Sequence, residues 1–200
     1  FAYDLDLKRI NDLNNFIDVN EEYGSDEIKK RVVKKNELNL YEKGLYLTRD
    51  FKELKYCNFY IIAVPTNIDQ DKNMVLDNII SASTKVSKVL KKGDYVIYES
   101  TVFPGTTEDF CCPILEKNSK LKLNEDFFLG YSPERYNPAD KSRSFESIKK
   151  VISGSSNEAG LQIEKIYNSV LKNGTFFSKS IKEAEMSKLV ENTQRDIGIA

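Results

Sequence analysis

The last amphipathic stretch of the sequence carries the polar side chains best suited to chemistry. Glu185, Lys188, Asn192 and Arg195 follow one another at spacings of three, four and three residues, which places them on one face of a helix. An ammonium, an amide and a guanidinium group therefore share one stripe. The alternative is a solvated face with a Glu185–Lys188 pair worth about 0.2–0.5 kcal/mol. Asn192 counts slightly against it, because Asn is unfavourable inside a helix unless its amide has a partner.

A second group of polar residues follows the strands that the sequence predicts. Val64 and Pro65 end an apolar run, where Pro65 stops the strand ladder and Thr66 offers a hydroxyl group. Thr101 lies in the polar segment after the next long strand. Because ligands of open parallel sheets bind at the carboxyl ends of the strands, both turns would face one crevice. Strand termination and helix capping explain these residues equally well.

The segment 130–140 follows a further predicted strand and contains two prolines, so we expect a rigid loop. A carboxylate held between prolines at the end of a strand, as Glu134 is, is placed for proton handling. The alternative is that Glu134 and Arg135 form a surface ion pair of little energetic value.

Asp4 ends the first predicted strand. At this position of a dinucleotide-binding fold an acidic side chain accepts hydrogen bonds from the adenosine ribose hydroxyls, which would favour NAD over its 2′-phosphorylated relative. Asp4 alone fits a turn or helix-cap residue slightly better.

Short apolar runs alternate with amphipathic stretches along the whole chain, and this alternation predicts an α/β fold with a doubly wound parallel sheet. A break near residues 177–180 predicts a first domain over 1–179 and the start of a second over 180–200. The predicted strands are Phe1–Tyr3, Leu45–Thr48, Phe59–Val64, Tyr95–Tyr98, Phe127–Gly130, Lys150–Ser153 and Thr175–Phe177. The predicted helices are Asp6–Asn14, Asp26–Lys34, Leu76–Leu90, a short turn near Thr107–Cys112, Asn157–Leu171 and a helix from Ile181 onward.

Composition narrows the classes of function. The 200 residues contain no histidine, which excludes a His base or a His-ligated metal in this segment. The 30 basic and 31 acidic residues nearly balance, so we expect no nucleic-acid partner. No apolar run approaches the roughly 20 residues of a membrane span, and no signal peptide is present, so we expect a cytoplasmic protein away from the membrane. The three cysteines lack metal or redox spacing and are predicted to be reduced thiols in or near the core.

Taken together, the motifs resemble the UDP-glucose/GDP-mannose dehydrogenase family. Five segments match in family order across nearly the whole chain, and the last is the most specific: Tyr3–Asp6, Ala63–Asn67, Glu99–Val102, Ser132–Glu134 and Glu183–Asp196. The loop Glu134–Asp140 departs from the form of the UDP-glucose enzymes. It is similar instead to the branch that acts on N-acetylated UDP-hexosamines, which supply uronic acids to bacterial surface polysaccharides.

The resemblance implies a Rossmann-like NAD-binding domain over 1–179. It also implies that 180–200 begins the long helix that joins two domains and contributes to a homodimer or higher homo-oligomer. The implied substrate is a UDP-sugar whose C6 hydroxymethyl group is oxidised to a carboxylate in two hydride transfers. The first gives an aldehyde, and the second converts a cysteine-bound thiohemiacetal to a thioester that water hydrolyses.

Site roles carried over from the family fall into three groups. Lys188 and Asn192 would stabilise negative charge on the reacting oxygen, while Glu134 with Thr101 would position or activate the hydrolytic water. The residues implied along NAD are Asp4, Val64, Pro65, Thr66, Thr101 and Glu134. The residues implied at the sugar are Glu134, Arg135, Asn137, Lys188, Asn192 and Arg195. No metal is implied.

Four readings stay open at this point. The parent protein is predicted to be a UDP-N-acetylhexosamine 6-dehydrogenase. The alternatives are a UDP-glucose 6-dehydrogenase of the same family, a β-hydroxyacid-type dehydrogenase that releases one NADH and needs no cysteine, and a non-catalytic nucleotide-binding domain.

Two family features are expected outside these residues: a glycine-rich phosphate loop before Phe1 and a nucleophilic cysteine after Ala200, which Cys57, Cys111 and Cys112 do not match. We therefore expect the 200-residue chain by itself to bind NAD weakly or not at all and to produce no NADH from UDP-sugars. Absorbance of NADH measures this, and a normal yield from the isolated chain would contradict it.

Overall fold

The structure is a computed structural model that describes residues 1–40, 42–134 and 145–199. Its contacts divide the chain into two compact units, Phe1–Cys57 and Asn58–Ala200. The predicted boundary at 179/180 is a different kind of division, between an NAD-binding domain and a helical domain, and it stays a prediction.

The first unit is built around a short parallel pair. Strand β1, Ala2–Tyr3, lies parallel to β2, Leu47–Thr48. Along the chain, the two strands are separated by helices α1, Leu7–Asn14, and α2, Ser25–Lys29. Asp6 caps α1, because its carboxylate accepts hydrogen bonds from the backbone amides of Lys8 and Arg9. Short 3-10 turns occupy Lys35–Glu37 and Phe51–Tyr56.

The described residues of the second unit form a five-stranded sheet and four α-helices. Its strands are β3 Phe59–Ile62, β4 Asn67–Ile68, β5 Met74–Val75, β6 Asp94–Tyr98, β7 Phe127–Tyr131, β8 Lys150–Gly154 and β9 Thr175–Phe177. Its helices are α3 Asp77–Ser87, α4 Cys112–Ser119, α5 Asn157–Asn168 and α6 Ile181–Ile199, with a π-helical turn at Thr106–Cys111 and a 3-10 turn at Phe145–Ser147. The sheet has the order β3-β6-β7-β8-β9, and β4 and β5 form a separate antiparallel hairpin.

The sheet is mostly parallel, with one reversal. β3, β6 and β7 are parallel, and β8 and β9 are parallel to each other, but β7 and β8 pair antiparallel. A parallel pair needs a crossover that is usually a helix, whereas an antiparallel pair does not. The described residues between β7 and β8 form only the turn Phe145–Ser147. The prediction of an all-parallel sheet is therefore corrected at this one pairing.

Helices cover both faces of this sheet, which confirms the doubly wound, Rossmann-like class. Neighbouring residues of a strand point to opposite faces. On β6, Ile97 packs in a buried cluster with Ile163 and Tyr167 of α5, whereas the hydroxyl group of Tyr98 lies 2.7 Å from that of Ser83 on α3. Helices α3 and α5 therefore lie on opposite sides.

Element types follow the sequence periodicity closely, although α3 ends at Ser87 rather than Leu90 and α5 at Asn168 rather than Leu171. Three larger differences occur. The hairpin β4–β5 was not predicted, and the turn predicted near Thr107–Cys112 continues into the full helix α4, which has Pro113 in its first turn. Helix α2 ends at Lys29 rather than Lys34. The three cysteines are reduced thiols, as predicted; Cys57 is half-buried, and Cys111 and Cys112 are buried. Among the described residues, the structure has no helix with the length and apolar character that crossing a bilayer requires.

Helix α5 approaches strand β8 so closely that only glycine fits at the contact. A Cβ atom built on Gly154 would lie 2.3 Å from the backbone nitrogen of Gly160. Because that neighbour is backbone and not a flexible side chain, we expect Gly154→Ala to lower the free energy of unfolding by about 1–3 kcal/mol. Urea unfolding measures the change.

The matched control is Gly198→Ala in α6, where nothing lies within 4 Å of the added Cβ. That change should leave stability equal or slightly higher, because Ala favours helix over Gly by up to about 1 kcal/mol. An unchanged urea midpoint for Gly154→Ala would contradict the packing argument.

Candidate functional site

A cleft of about 410 Å³ opens at the carboxyl ends of three parallel strands in the second unit. The turn after β3, the turn after β6 and the end of the segment after β7 each contribute to its wall. The lining residues are Ala63, Val64, Pro65, Thr66, Glu99, Ser100, Thr101 and Glu134. This is the edge at which open α/β sheets bind ligands. Five residues predicted from the sequence, Val64, Pro65, Thr66, Thr101 and Glu134, therefore lie around one cavity.

The turns after β3 and β6 are tied together by side-chain hydrogen bonds. The Thr66 hydroxyl donates to the Thr101 carbonyl at 2.8 Å, and the Ser100 hydroxyl donates to the Val64 carbonyl at 2.7 Å. The Nδ2 amide of Asn78, in the first turn of α3, donates to the Pro65 carbonyl at 2.9 Å. These three hydrogen bonds therefore fix the conformation of the cleft wall without any contribution from a ligand.

Helix α6 is fastened to the segment after β6 by a buried carboxylate. Glu185 has no exposed surface, and its side chain accepts hydrogen bonds from the backbone amides of Gly105 at 2.5 Å and Thr107 at 2.9 Å. These amides lie at the start of the π-helical turn, where N–H groups lack helical partners. Burial raises the pKa of Glu185, while the two amide hydrogen bonds act in the opposite direction. The alternative of a solvated Glu185–Lys188 pair is therefore wrong for Glu185.

Lys188 lies one turn after Glu185 and is directed to the loop that lines the cleft. Its Nζ donates to the backbone carbonyl of Glu134 at 2.6 Å, and the residue is half-buried. Because Glu134 lines the same cavity as Thr101, the ammonium group lies at the edge of that cavity. The geometry expected of Lys188 is present, although its catalytic role stays a prediction.

The remaining predicted residues have different surroundings. Asn192 is half-buried one turn beyond Lys188, whereas Arg195 is exposed and lies 3.2 Å from Glu191. Asp4 belongs to the first unit, where its carboxylate accepts a hydrogen bond from the Asp6 amide at 2.9 Å, as a turn residue does. Whether Asp4 also binds a ribose stays a prediction. Arg135 and Asn137 lie outside the described residues.

Sequence reasoning missed a buried cluster behind the cleft wall. Lys150 is 1% exposed and forms an ion pair with Glu99, which also accepts a hydrogen bond from the Tyr167 hydroxyl. The available signal was the position of Lys150 directly before the apolar residues Val151 and Ile152, which indicates that Lys150 is buried with them. A buried lysine in turn indicates an ionic partner, because lysine is rarely buried unless it is paired.

Comparison with known proteins shows what the chain is similar to. The family described as "UDP-glucose/GDP-mannose dehydrogenase family, NAD binding domain" matches residues 2–171. The UDP-N-acetyl-D-glucosamine 6-dehydrogenase of Pseudomonas aeruginosa is 46% identical over 199 residues, which cover 100% of this chain and 44% of that protein. The Protein CapL of Staphylococcus aureus is 41% identical with the same coverage.

The chain is also similar to a solved structure. The UDP-D-ManNAc dehydrogenase from Pyrococcus horikoshii superposes with a TM-score of 0.85 at 32% identity, over 98% of this chain and 44% of that one. The chain thus spans less than half the length of the relatives it matches.

The buried carboxylate of Glu185 provides a test of how α6 is held. In Glu185→Gln only one oxygen remains to accept, and the new NH2 group would face a backbone N–H. We expect the free energy of unfolding to fall by about 1–3 kcal/mol, as for other buried groups left without a partner. Urea denaturation at neutral pH measures this. Glu191→Gln on the same helix is the control and should change the free energy of unfolding by less than about 0.5 kcal/mol. Equal effects of the two changes would contradict the role of Glu185 in holding α6.

Proposed function

Because the chain belongs to the UDP-glucose/GDP-mannose dehydrogenase family, we propose that the full-length protein is an NAD-dependent UDP-N-acetylhexosamine 6-dehydrogenase. The observation that carries the proposal is the position of Lys188, whose ammonium group binds the Glu134 carbonyl at the edge of a cleft that Thr101 also lines. An ammonium group and a carboxylate-bearing loop thus meet at the ligand edge of the sheet.

The cleft fits the nicotinamide half of NAD better than the pyrophosphate. Its described lining offers hydroxyl groups and two acidic side chains, Glu99 and Glu134, and includes no basic side chain. Acidic groups repel phosphates but attract the cationic oxidised nicotinamide ring. Bound NAD would accept hydride from the sugar carbon. Val64, Pro65, Thr66 and Thr101 would hold the nicotinamide riboside by shape and hydrogen bonds, and Asp4 would bind the adenosine ribose.

The chain's own residues are proposed to act on the substrate in the following way. Lys188 and Asn192, one helical turn apart, would stabilise negative charge that develops on the sugar oxygen. Glu134, with Thr101, would orient and activate the water that releases the carboxylate product. Arg135, Asn137 and Arg195 are proposed to contact the UDP-sugar.

Neither adjacent cysteine suits the covalent step of such a reaction. Cys111 and Cys112 are buried, and burial raises the pKa of Cys111 to about 11 and that of Cys112 to about 12. A nucleophilic cysteine needs a lowered pKa and access to its substrate. These two thiols therefore act as core residues.

The relatives support the proposed substrate class. The proteins similar to this chain over its full length include UDP-N-acetyl-D-glucosamine 6-dehydrogenases from two bacteria. A UDP-N-acetylhexosaminuronate for surface polysaccharide, such as a capsule, is the proposed product.

We propose a cytoplasmic homodimer or higher homo-oligomer formed through α6. Support comes from the exposed apolar side chains that α6 presents: Met186, Leu189, Val190, Ile197 and Ile199. A surface helix of this length that exposes so many apolar groups is typical of an interface.

The experiment is a spectrophotometric assay of the full-length protein with NAD and UDP-GlcNAc, UDP-GalNAc or UDP-glucose. We expect two NADH per sugar and the highest kcat/KM with an N-acetylated substrate. A preference for UDP-glucose would support the family alternative, one NADH per substrate would support the β-hydroxyacid type, and no turnover would support a non-catalytic domain.

Lys188→Ala tests the residue on which the proposal depends. Loss of one donor to a developing oxyanion lowers kcat by roughly 10²–10³-fold, and we expect a loss of that size. The matched control is Lys182→Ala on the same helix, an exposed lysine whose partner is Asp109 on the surface. It should keep activity within about threefold, because surface ion pairs contribute little.

A further inference from the structure

Lys150 is a charged side chain enclosed by the protein. It begins β8 and is 1% exposed. Its Nζ lies 3.2 Å from Oε1 of Glu99 and donates to the Pro133 carbonyl at 3.2 Å. The rings of Tyr167 and Phe145 lie 5.5 Å and 5.9 Å from the ammonium group, within cation–π distance. These four partners lie on four different segments of the second unit.

A second buried group fixes the same carboxylate. The Tyr167 hydroxyl donates to Oε1 of Glu99, the oxygen that Lys150 also contacts. Burial, together with the Glu99 charge, raises the pKa of Tyr167, so its hydroxyl stays protonated and remains a donor. Glu99 lines the cleft while its acidic end is held from behind.

Lys150 and Lys188 bind two successive carbonyls of the loop. Lys150 binds the carbonyl of Pro133 from the sheet, and Lys188 binds that of Glu134 from α6. The backbone that carries the Glu134 side chain is therefore clamped between two ammonium groups. Burial lowers the pKa of Lys150 and the nearby Lys188 charge acts in the same direction, whereas Glu99 and Glu134 oppose them.

Burying an ammonium group is costly, and an apolar side chain of similar volume would often be at least as stable. A buried ion that joins Glu99 of the cleft wall to Pro133, the residue before Glu134, is therefore better explained by placement than by stability. We propose that Lys150 is a positioning residue, which through Glu99 and the Pro133 carbonyl sets the location of Glu134 and of the Lys188 ammonium group. This inference rests on the proposed function for its kinetic consequence, but not for its structural one.

Lys150→Met in the full-length protein is the test, with hydrogen–deuterium exchange and steady-state kinetics as readouts. We expect the backbone amides of Tyr131, Ser132 and Glu134 to exchange at least about tenfold faster, since a charge-assisted hydrogen bond to the neighbouring Pro133 carbonyl is lost. We also expect kcat to fall at least about tenfold while KM for NAD and for the UDP-sugar stays within about threefold.

The matched control is Lys91→Met. Lys91 pairs at 2.9 Å with buried Asp94, the first residue of β6, at the opposite end of the strand from Glu99. It should leave both the exchange of 131–134 and kcat near their original values. If Lys150→Met prevents folding, Tyr167→Phe replaces it, with the same direction of change and a smaller size.

Unchanged exchange rates at residues 131–134 would overturn the inference. So would losses of kcat and stability in Lys150→Met that equal those of Lys91→Met and come without faster exchange in this segment. If the unmodified protein oxidises no UDP-sugar, the proposed function fails. The exchange measurement then still decides whether Lys150 positions the loop.

Discussion

The arrangement of the site depends on a carboxylate that has no access to water. Glu185 reaches backbone amides at Gly105 and Thr107, about eighty residues earlier in the chain, and so fixes both the axial position and the rotation of α6. A helix held in this way presents the next residue on its face, Lys188, to the segment after β7. Without this contact, α6 would be held to the sheet by apolar side chains such as Ile181 and Ala184, which do not define rotation as sharply.

The distribution of charge at the cleft follows from the positions of two acidic and two basic side chains. Two acidic side chains line the cavity, while the two ammonium groups bind backbone carbonyls just outside it. Lys150 also pairs with Glu99, so the charge of that carboxylate is compensated from behind the wall. The described lining of the cavity itself stays polar and contains no basic side chain. In the proposed dehydrogenation, the cationic ring would lie in the cavity and the reacting oxygen at its edge, beside the Lys188 ammonium group.

Much of the fold was predictable because its elements have clear periodicity. The apolar runs around Tyr60 and Val96 correctly indicated strands, although Ile61 of the first strand is 50% exposed. The rule that ligands bind beyond strand ends also brought Thr66, Thr101 and Glu134 together correctly. Helix α4 was missed because its pattern is interrupted by a proline and by adjacent cysteines. The apolar neighbours of Lys150 signalled its burial, but the partners of Lys150 and Glu185 could not be predicted, because they lie far away in sequence and no local pattern marks them.

The reversal between β7 and β8 has a consequence for how this site is built. In a wholly parallel sheet every strand delivers only its last residues to the ligand edge, and loops of variable shape carry the chemistry. Here β8 runs the other way, so its opening residue arrives at that edge while still part of the hydrogen-bonded ladder. The wall of an otherwise loop-built pocket is therefore supported from behind, at Glu99, by a residue of the sheet itself, Lys150.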